Sequence, residues 1–246
     1  MPTQFTIPTT MQAISRNSRS LGDAWPEINP TVPENVRRLC ESLPLKNPAW
    51  VSAAHPDARV FAQLVISQVR PGRRVLDLGT GTGLCAICLA RLGYDVSAAD
   101  LSPPAVRCAR RNAIRHGLNI EVVVSDLLES VEGHFDLIAF NLPYSFTRDN
   151  WARNLAKNLA RRVPWIRQSS GYSMPGAVQR FHQGLVARLV AQAAGHLKPG
   201  GSIVLHAFEC EVAALADVLP DSTDLLLLRH PALAANGTIG LKIGWP

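Results

Sequence analysis

Three glycines alternate with two threonines in the run Asp77-Leu-Gly-Thr-Gly-Thr-Gly83. Because glycine has no side chain, such a run lets a ligand approach the backbone closely where a strand leads into a helix. Asp100 follows 17 residues after Gly83, where its carboxylate can accept hydrogen bonds from both hydroxyls of a ribose. The pattern Gly81-x-Gly83-x-x-Ala86 also satisfies the dinucleotide fingerprint, so an NAD or FAD enzyme is an open alternative.

A second candidate group, Asn141-Leu-Pro-Tyr144, follows directly on the run Asp136-Leu-Ile-Ala-Phe140, which is predicted to be buried. The Asn141 side-chain oxygen and the Leu142 backbone carbonyl can each accept one N–H of an NH2 group. If the nitrogen of that NH2 group reacts as a nucleophile, two such acceptors stabilise the positive charge that develops on it. They also orient its lone pair towards the electrophile, so no general base is needed. Tyr144 would stack on a planar acceptor group. We therefore predict Asn141, Leu142, Pro143 and Tyr144 as the catalytic residues.

Alternating strand and helix patterns must position these groups. The alternation predicts an α/β fold, with a doubly wound, mostly parallel sheet of seven strands and helices on both faces. Only residues 230–237 separate the last two strands, which predicts an antiparallel pair and a reversed final strand. The predicted strands are 74–78, 94–99, 120–125, 135–140, 202–208, 224–229 and 238–243, and the predicted helices are 34–43, 56–69, 84–92, 103–116, 177–196 and 209–219.

These motifs, with Ser125-Asp-Leu127, resemble those of the class I S-adenosylmethionine-dependent methyltransferases, which have a Rossmann-like sheet with a reversed final strand. Asn141-Leu-Pro-Tyr144 is similar to the Asn-Pro-Pro-Tyr motif of N-methyltransferases such as the release-factor glutamine methyltransferases and the methyltransferase small domain, with Leu142 replacing the first proline. The resemblance implies that the glycine turn binds the amino-acid end of S-adenosyl-L-methionine, Asp100 the ribose and Asp126 the adenine. The implied cofactor-binding residues are Asp77, Gly79, Thr80, Gly81, Thr82, Gly83, Asp100, Leu101, Asp126, Leu127 and Asn141.

The composition is that of one large globular domain, with 246 residues, 47% hydrophobic residues and a formal net charge of +6. We expect residues 1–54 to form a partly helical N-terminal extension that covers a methyltransferase domain at 55–246. Five cysteines argue against a disulfide framework, and no membrane-length apolar segment or secretion signal is found, so we expect a cytoplasmic protein without membrane partners. No metal site is expected, and a basic amphipathic helix is predicted at 148–162.

The residues and the resemblance together predict an S-adenosylmethionine-dependent N-methyltransferase. Its partner would be a methyl acceptor with a nitrogen nucleophile, either a protein glutamine or a small nitrogenous metabolite. An RNA or DNA nucleobase is an alternative acceptor. A nicotinamide-dependent oxidoreductase and a catalytically silent binding protein are alternatives from other classes. The sequence identifies neither the acceptor nor the oligomeric state.

Overall fold

The computed structural model describes residues 25–48, 51, 53–142 and 176–246. Within these residues eight strands form one sheet in the order β1-β7-β8-β6-β5-β2-β3-β4. Strand β8 runs antiparallel to both of its neighbours, β6 and β7, and the other paired strands are parallel. The predicted α/β fold with a reversed final strand is therefore confirmed. The strands are β1 (Glu27–Ile28), β2 (Arg74–Leu78), β3 (Asp95–Asp100), β4 (Glu121–Val124), β5 (Phe135–Asn141), β6 (Leu197–Phe208), β7 (Asp224–Leu228) and β8 (Thr238–Gly244).

The predicted number of seven strands is wrong by one, because the N-terminal extension contributes β1. Glu27 and Ile28 pair in parallel with Leu227 and Leu228 at the free edge of β7. A strand of two residues is too short to produce an alternating pattern of polar and apolar residues, so the sequence carries no signal for it. The extension is thus hydrogen-bonded to the sheet through β1.

Seven helices accompany the sheet in the described residues. Proline occupies the first turn of α2 and α4, where its missing N–H costs nothing, and Gly117 with φ of +69° follows the end of α4. The predicted helix 209–219 is instead a short 3-10 turn (Glu209–Glu211) followed by one helical turn. The predicted basic helix 148–162 lies outside the described residues. The helices are α1 (Glu34–Ser42), α2 (Pro56–Ser67), α3 (Leu84–Arg91), α4 (Pro103–Arg115), α5 (Gly176–Ala193), α6 (Val212–Ala216) and α7 (Pro231–Ala234).

Apolar side chains on both faces of the sheet build two cores. Val75 of β2 belongs to the core with α1, α2, α3 and α4, whereas its neighbour Leu76 belongs to the core with α5 and α6. Successive strand residues point to opposite faces, so a strand buried on both sides consists of continuous apolar residues. Full burial of each such side chain contributes about 1.5–3 kcal/mol. The two cores fix β2 in the interior of the sheet, between β5 and β3, where its carboxyl end leads into the glycine turn.

The described part of the extension comprises residues 25–48, and its helix α1 packs on the core that contains Val75. Val36 and Cys40 of α1 are fully buried, and Leu43 after the helix is 2% exposed. The division at residue 54 between extension and domain stays a prediction. In the described ranges, no helix combines the length and the hydropathy needed to cross a membrane.

Candidate active site

The candidate site lies at the edge of the sheet where the carboxyl ends of β2, β3 and β5 meet. The chain runs from β2 outward to β3 and β4 and then returns to β5 on the other side of β2. The crevice between β2 and β5 is therefore the topological switch point, where open α/β sheets bind their ligands. Leu78, the last residue of β2, is paired with Phe140 of β5. The glycine turn consequently starts beside the strand that ends in Asn141.

The glycine turn forms a compact loop that leads into α3. The N–H of Gly83 donates to the Thr80 carbonyl at 2.8 Å. Gly83 has φ of +84°, and a Cβ there would lie 3.2 Å from Ala109 of α4, so both conformation and packing require glycine. Gly81 has φ of +55°, but the nearest atom to its Cβ would be the Gly79 carbonyl oxygen at 4.0 Å. Gly81 therefore leaves open space through which a ligand can approach the backbone.

Asp77 is a buried carboxyl group at the foot of this turn. Its Oδ2 accepts a hydrogen bond from the Thr80 hydroxyl at 2.6 Å and another from the Ala86 N–H at 3.1 Å. Burial raises the pKa of Asp77 from 3.8 to about 6, although both hydrogen bonds lower it, and the nearby charge of Asp100 raises it further. The carboxyl group thus joins β2, the turn and α3, and it is poised to titrate near neutral pH.

Asp100 is held by backbone groups at the end of β3. Its Oδ2 accepts from the Gly81 N–H and its Oδ1 from the Ser102 N–H, both at 2.9 Å, while burial raises its pKa. Each oxygen keeps a lone pair, so both can also accept a ribose hydroxyl. Leu101 is 66% exposed, and Val124, paired with Asp100 on β4, is 46% exposed. These apolar side chains provide contact area for a flat base at the same edge.

Asp126 lies in the loop that follows β4. The loop is attached to β3, because the Ser125 N–H donates to the Asp100 carbonyl at 3.1 Å. The Asp126 side chain is 40% exposed, and its Oδ2 accepts from Arg188 Nη2 of α5 at 2.9 Å. Leu127 is buried with φ of +51°, a left-handed conformation that turns the chain away from the strand. Arg188 of α5, which the sequence analysis missed, thus contacts the predicted adenine-binding loop through Asp126.

Asn141 ends β5 next to His206 of β6. Its Oδ1 lies 2.9 Å from His206 Nδ1, and the Leu142 N–H donates to the His206 carbonyl at 3.3 Å. The Leu142 side chain is buried, so this residue can offer a substrate only its backbone carbonyl. Pro143 and Tyr144 lie outside the described residues. His206 was also missed, and its only sequence signal is a polar residue in the middle of the apolar strand 202–208.

A buried asparagine connects the glycine turn to the N-terminal extension. Asn112 of α4 donates from Nδ2 to the Thr82 carbonyl and to the Lys46 carbonyl, both at 2.9 Å. Its Oδ1 accepts from the Lys46 N–H at 3.2 Å. Asn112 is 1% exposed and Thr82 is 4% exposed. The sequence analysis missed Asn112, which holds the glycine turn to the segment at Lys46.

The comparisons with known proteins agree with this geometry. The family model of the methyltransferase small domain matches residues 48–171, half of the chain. The chain belongs to the methyltransferase small domain family. The predicted class I methyltransferase fold and the cofactor S-adenosyl-L-methionine are those of this family, so the nicotinamide-dependent alternative is set aside.

Individual relatives match parts of this chain. The release factor glutamine methyltransferase of Deinococcus radiodurans is 37% identical over 167 residues, 65% of this chain and 55% of that protein. The ribosomal protein L11 methyltransferase of Exiguobacterium sp. is 36% identical over 121 residues, 48% of this chain and 37% of that protein. The chain therefore spans between a third and just over half of the length of these curated relatives. A crystal structure of ribosomal protein L11 methylase from Lactobacillus delbrueckii subsp. bulgaricus shares the fold, with a TM-score of 0.57, 24% identity and coverage of 82% of this chain and 83% of that chain.

The described side chains fit S-adenosyl-L-methionine. Asp77 and Asp100 supply two carboxyl groups, which suit a sulfonium and ammonium cation better than they suit a pyrophosphate. The open space at Gly81 allows close approach of the ligand to the backbone. Among the described residues, no cluster of three or more His, Cys, Asp or Glu side chains suitable for a metal ion is found.

Proposed function

We propose that this chain transfers a methyl group from S-adenosyl-L-methionine to an amide or amine nitrogen, with a protein glutamine side chain as the first candidate acceptor and a small nitrogenous metabolite as the next. The observation that carries the proposal is the position of Asn141. It ends β5 directly beside β2, whose carboxyl end leads into the glycine turn. Neighbouring strands lie about 4.8 Å apart, so a donor on the turn and an acceptor on Asn141 would be within reach of each other.

Four of the predicted residues have distinct roles in this reaction. When bound, S-adenosyl-L-methionine supplies an electrophilic methyl group on a positively charged sulfur. Asp100 accepts the ribose hydroxyls, and Asp77 lies beneath the turn that faces the amino-acid end. Asn141 Oδ1 and the Leu142 carbonyl accept the two N–H groups of the acceptor. These contacts strengthen as positive charge develops on the nitrogen, which is the condition for lowering the barrier rather than only binding the substrate. Once methylated, the nitrogen releases one of its two protons to solvent, which restores its neutrality.

Glutamine is the first candidate because the release factor glutamine methyltransferase aligns with more of this chain, 65%, than the ribosomal protein L11 methyltransferase does, 48%. The matched release factor methyltransferase is named for glutamine, and its alignment with this chain covers 167 residues. A primary amide offers the NH2 group that two carbonyl oxygens can grip. It also needs such help, because its nitrogen lone pair is delocalised.

A nucleobase with an exocyclic amino group is the alternative acceptor, and the charge of α4 favours it. Lys46 and three arginines of α4 line a groove of about 250 Å³ with no carboxylate among its lining residues. Arginine binds phosphate through two parallel hydrogen bonds, so this groove suits a nucleic-acid backbone. The arginines are Arg107, Arg111 and Arg115.

The deciding experiment uses S-adenosylmethionine with a tritiated methyl group and a cell extract divided into protein, RNA and small-molecule fractions. We expect the wild-type chain to label the protein fraction. Asn141→Ala should lower transfer about 100-fold and reduce the affinity for S-adenosylhomocysteine far less. Asp100→Ala should weaken the binding of S-adenosylhomocysteine itself. Label in the RNA fraction would favour the nucleobase acceptor. A chain that binds S-adenosylhomocysteine but labels no fraction would refute methyl transfer.

A further inference from the structure

One residue of β6 contacts both groups that are expected to grip the acceptor nitrogen. His206 Nδ1 lies 2.9 Å from Asn141 Oδ1, and the His206 carbonyl accepts the Leu142 N–H at 3.3 Å. The two strands pair in parallel with Asn141 opposite His206. His206 therefore fixes the asparagine side chain and the start of the following peptide from the strand next to β5.

The His206 ring is itself held in one orientation. The side chain is fully buried, and its ring stacks on that of Phe61 with centroids 5.7 Å apart and planes inclined by 23°. Phe61 is a core residue of α2 with 2% exposure. Burial lowers the pKa of His206 to about 4, so the imidazole is neutral at pH 7. A neutral imidazole carries one N–H. Because an amide oxygen only accepts, the orientation with Asn141 Oδ1 towards His206 Nδ1 requires this proton on Nδ1, whereas the flipped amide requires a bare Nδ1.

The identity of the atom that faces the acceptor depends on this contact. An asparagine amide has two orientations of nearly equal shape, one with the oxygen and one with the NH2 in a given place. The flipped amide would direct its own N–H groups at the N–H groups of the acceptor. With the proton on Nδ1, a hydrogen bond from Nδ1 to Oδ1 selects the unflipped orientation and occupies one lone pair, which leaves the second lone pair for the acceptor.

Resting on the proposed function, we propose that His206 is the positioning residue of the acceptor site, which holds the Asn141 oxygen in the orientation that receives the acceptor N–H. His206 touches neither the cofactor nor the acceptor in this role. Its loss should therefore lower kcat and leave the affinity for S-adenosylhomocysteine unchanged.

The first test needs no acceptor. Long-range ¹H–¹⁵N correlation spectra of the wild-type chain at pH 7 should show His206 protonated at Nδ1, with His206→Asn used to assign the signal. Protonation at Nε2 with a bare Nδ1 would overturn the proposal, because Nδ1 could then not donate to Asn141.

The second test is a double-mutant cycle, with the extract fraction that the wild-type chain labels as the methyl acceptor. His206→Leu should lower kcat about tenfold, as expected for the loss of one orienting hydrogen bond. His206→Asn, whose Nδ2 can replace Nδ1 as donor, should stay within about threefold of the wild type. In the Asn141→Ala background, His206→Leu should change transfer by less than about twofold, because the group that it positions is gone.

A matched control separates positioning from general stability. Val204→Ala removes a buried side chain from the same face of β6, so its effect on transfer should be the same factor in both backgrounds. The proposal is refuted if His206→Leu behaves like this control or leaves kcat unchanged. If the wild-type chain labels no fraction, the proposed function fails. The tautomer spectrum then still decides whether His206 holds the Asn141 side chain.

Discussion

Replacing the buried carboxyl group of Asp77 by an amide should stabilise the protein in the absence of cofactor. Burial raises the pKa of Asp77 from 3.8 to about 6, so between these values the folded chain binds more protons than the unfolded chain. The contribution of this group to stability therefore falls as pH rises from about 4 to about 6. A shift of about two units corresponds to a cost on the order of 3 kcal/mol at pH 7. An asparagine oxygen in the place of Oδ2 keeps the hydrogen bonds from Thr80 and Ala86 without the charge.

The measurement is denaturant unfolding of the wild type and Asp77→Asn, without cofactor, at several values between pH 4 and pH 8. We expect equal stability at pH 4 and an advantage for Asp77→Asn that grows towards about 3 kcal/mol at pH 7. Asp136→Asn is the matched control of opposite sign. Although burial raises the pKa of Asp136, hydrogen bonds from Lys198 and the Arg74 N–H outweigh this and lower it. Asp136 thus stabilises the fold at neutral pH, and this contribution is lost as pH falls through its folded-state pKa.

Asp77→Asn should also weaken cofactor binding, because the cofactor loses a hydrogen bond or ion pair to a charged carboxylate. A charged contact contributes about 1.5–3 kcal/mol, which corresponds to a roughly 10- to 100-fold loss of S-adenosylhomocysteine affinity at pH 7. Titration calorimetry measures this loss. A difference in unfolding free energy that stays constant from pH 4 to pH 8 would refute the raised pKa. An unchanged affinity would refute the role in cofactor binding.

Three further substitutions test other parts of the site. Gly83→Ala combines a positive φ with a Cβ placed 3.2 Å from Ala109, so unfolding in urea should show a loss of about 1–3 kcal/mol. Asn112→Leu leaves the buried Thr82 carbonyl of the glycine turn without its hydrogen-bond donor. The free energy of unfolding should fall by about 1–3 kcal/mol, and the affinity for S-adenosylhomocysteine should fall as well. Arg188→Ala removes an ion pair with Asp126 whose members are both about half exposed, so the free energy of unfolding should change by less than about 1 kcal/mol. A change in the affinity for S-adenosylhomocysteine would show that Arg188 orients Asp126.

Features that depend on local sequence were predicted well. The helix predicted at 103–116 runs from Pro103 to Arg115, because prolines, a capping serine and a glycine mark its ends. The buried run at 74–78 forms β2, and the glycine turn follows it at the carboxyl end. Since parallel strands end at one edge of the sheet, their order along the chain was enough to bring Asp77, Asp100 and Asn141 to one crevice.

Features that depend on contacts between distant residues were missed. Asn141 and His206 are 65 positions apart, and no local pattern indicates that a polar residue in β6 faces the end of β5. Asn112 looks in the sequence like any polar residue of a basic helix, because its partner Lys46 is 66 positions away and meets α4 only in the folded chain. Strand β1 has two residues and exists only because β7 offers it a free edge. Pairing partners of this kind follow from the three-dimensional arrangement, which no window of sequence contains.

The electrostatics of the crevice argue for a cationic donor independently of any motif. Asp77 and Asp100 lie on neighbouring strands, burial raises the pKa of both, and the charge of Asp100 raises the pKa of Asp77 further. In the described part of the chain, neither carboxyl group pairs with a Lys, Arg or His side chain, so the protein does not compensate this charge itself. A ligand with positive sulfonium and ammonium groups would compensate it, whereas a pyrophosphate would add to the repulsion. Binding of S-adenosylmethionine should therefore lower the pKa of Asp77 and release protons near pH 6, which calorimetric titration in buffers of different ionisation enthalpy measures directly. Proton uptake, or no change in protonation, would contradict this account of the cofactor site.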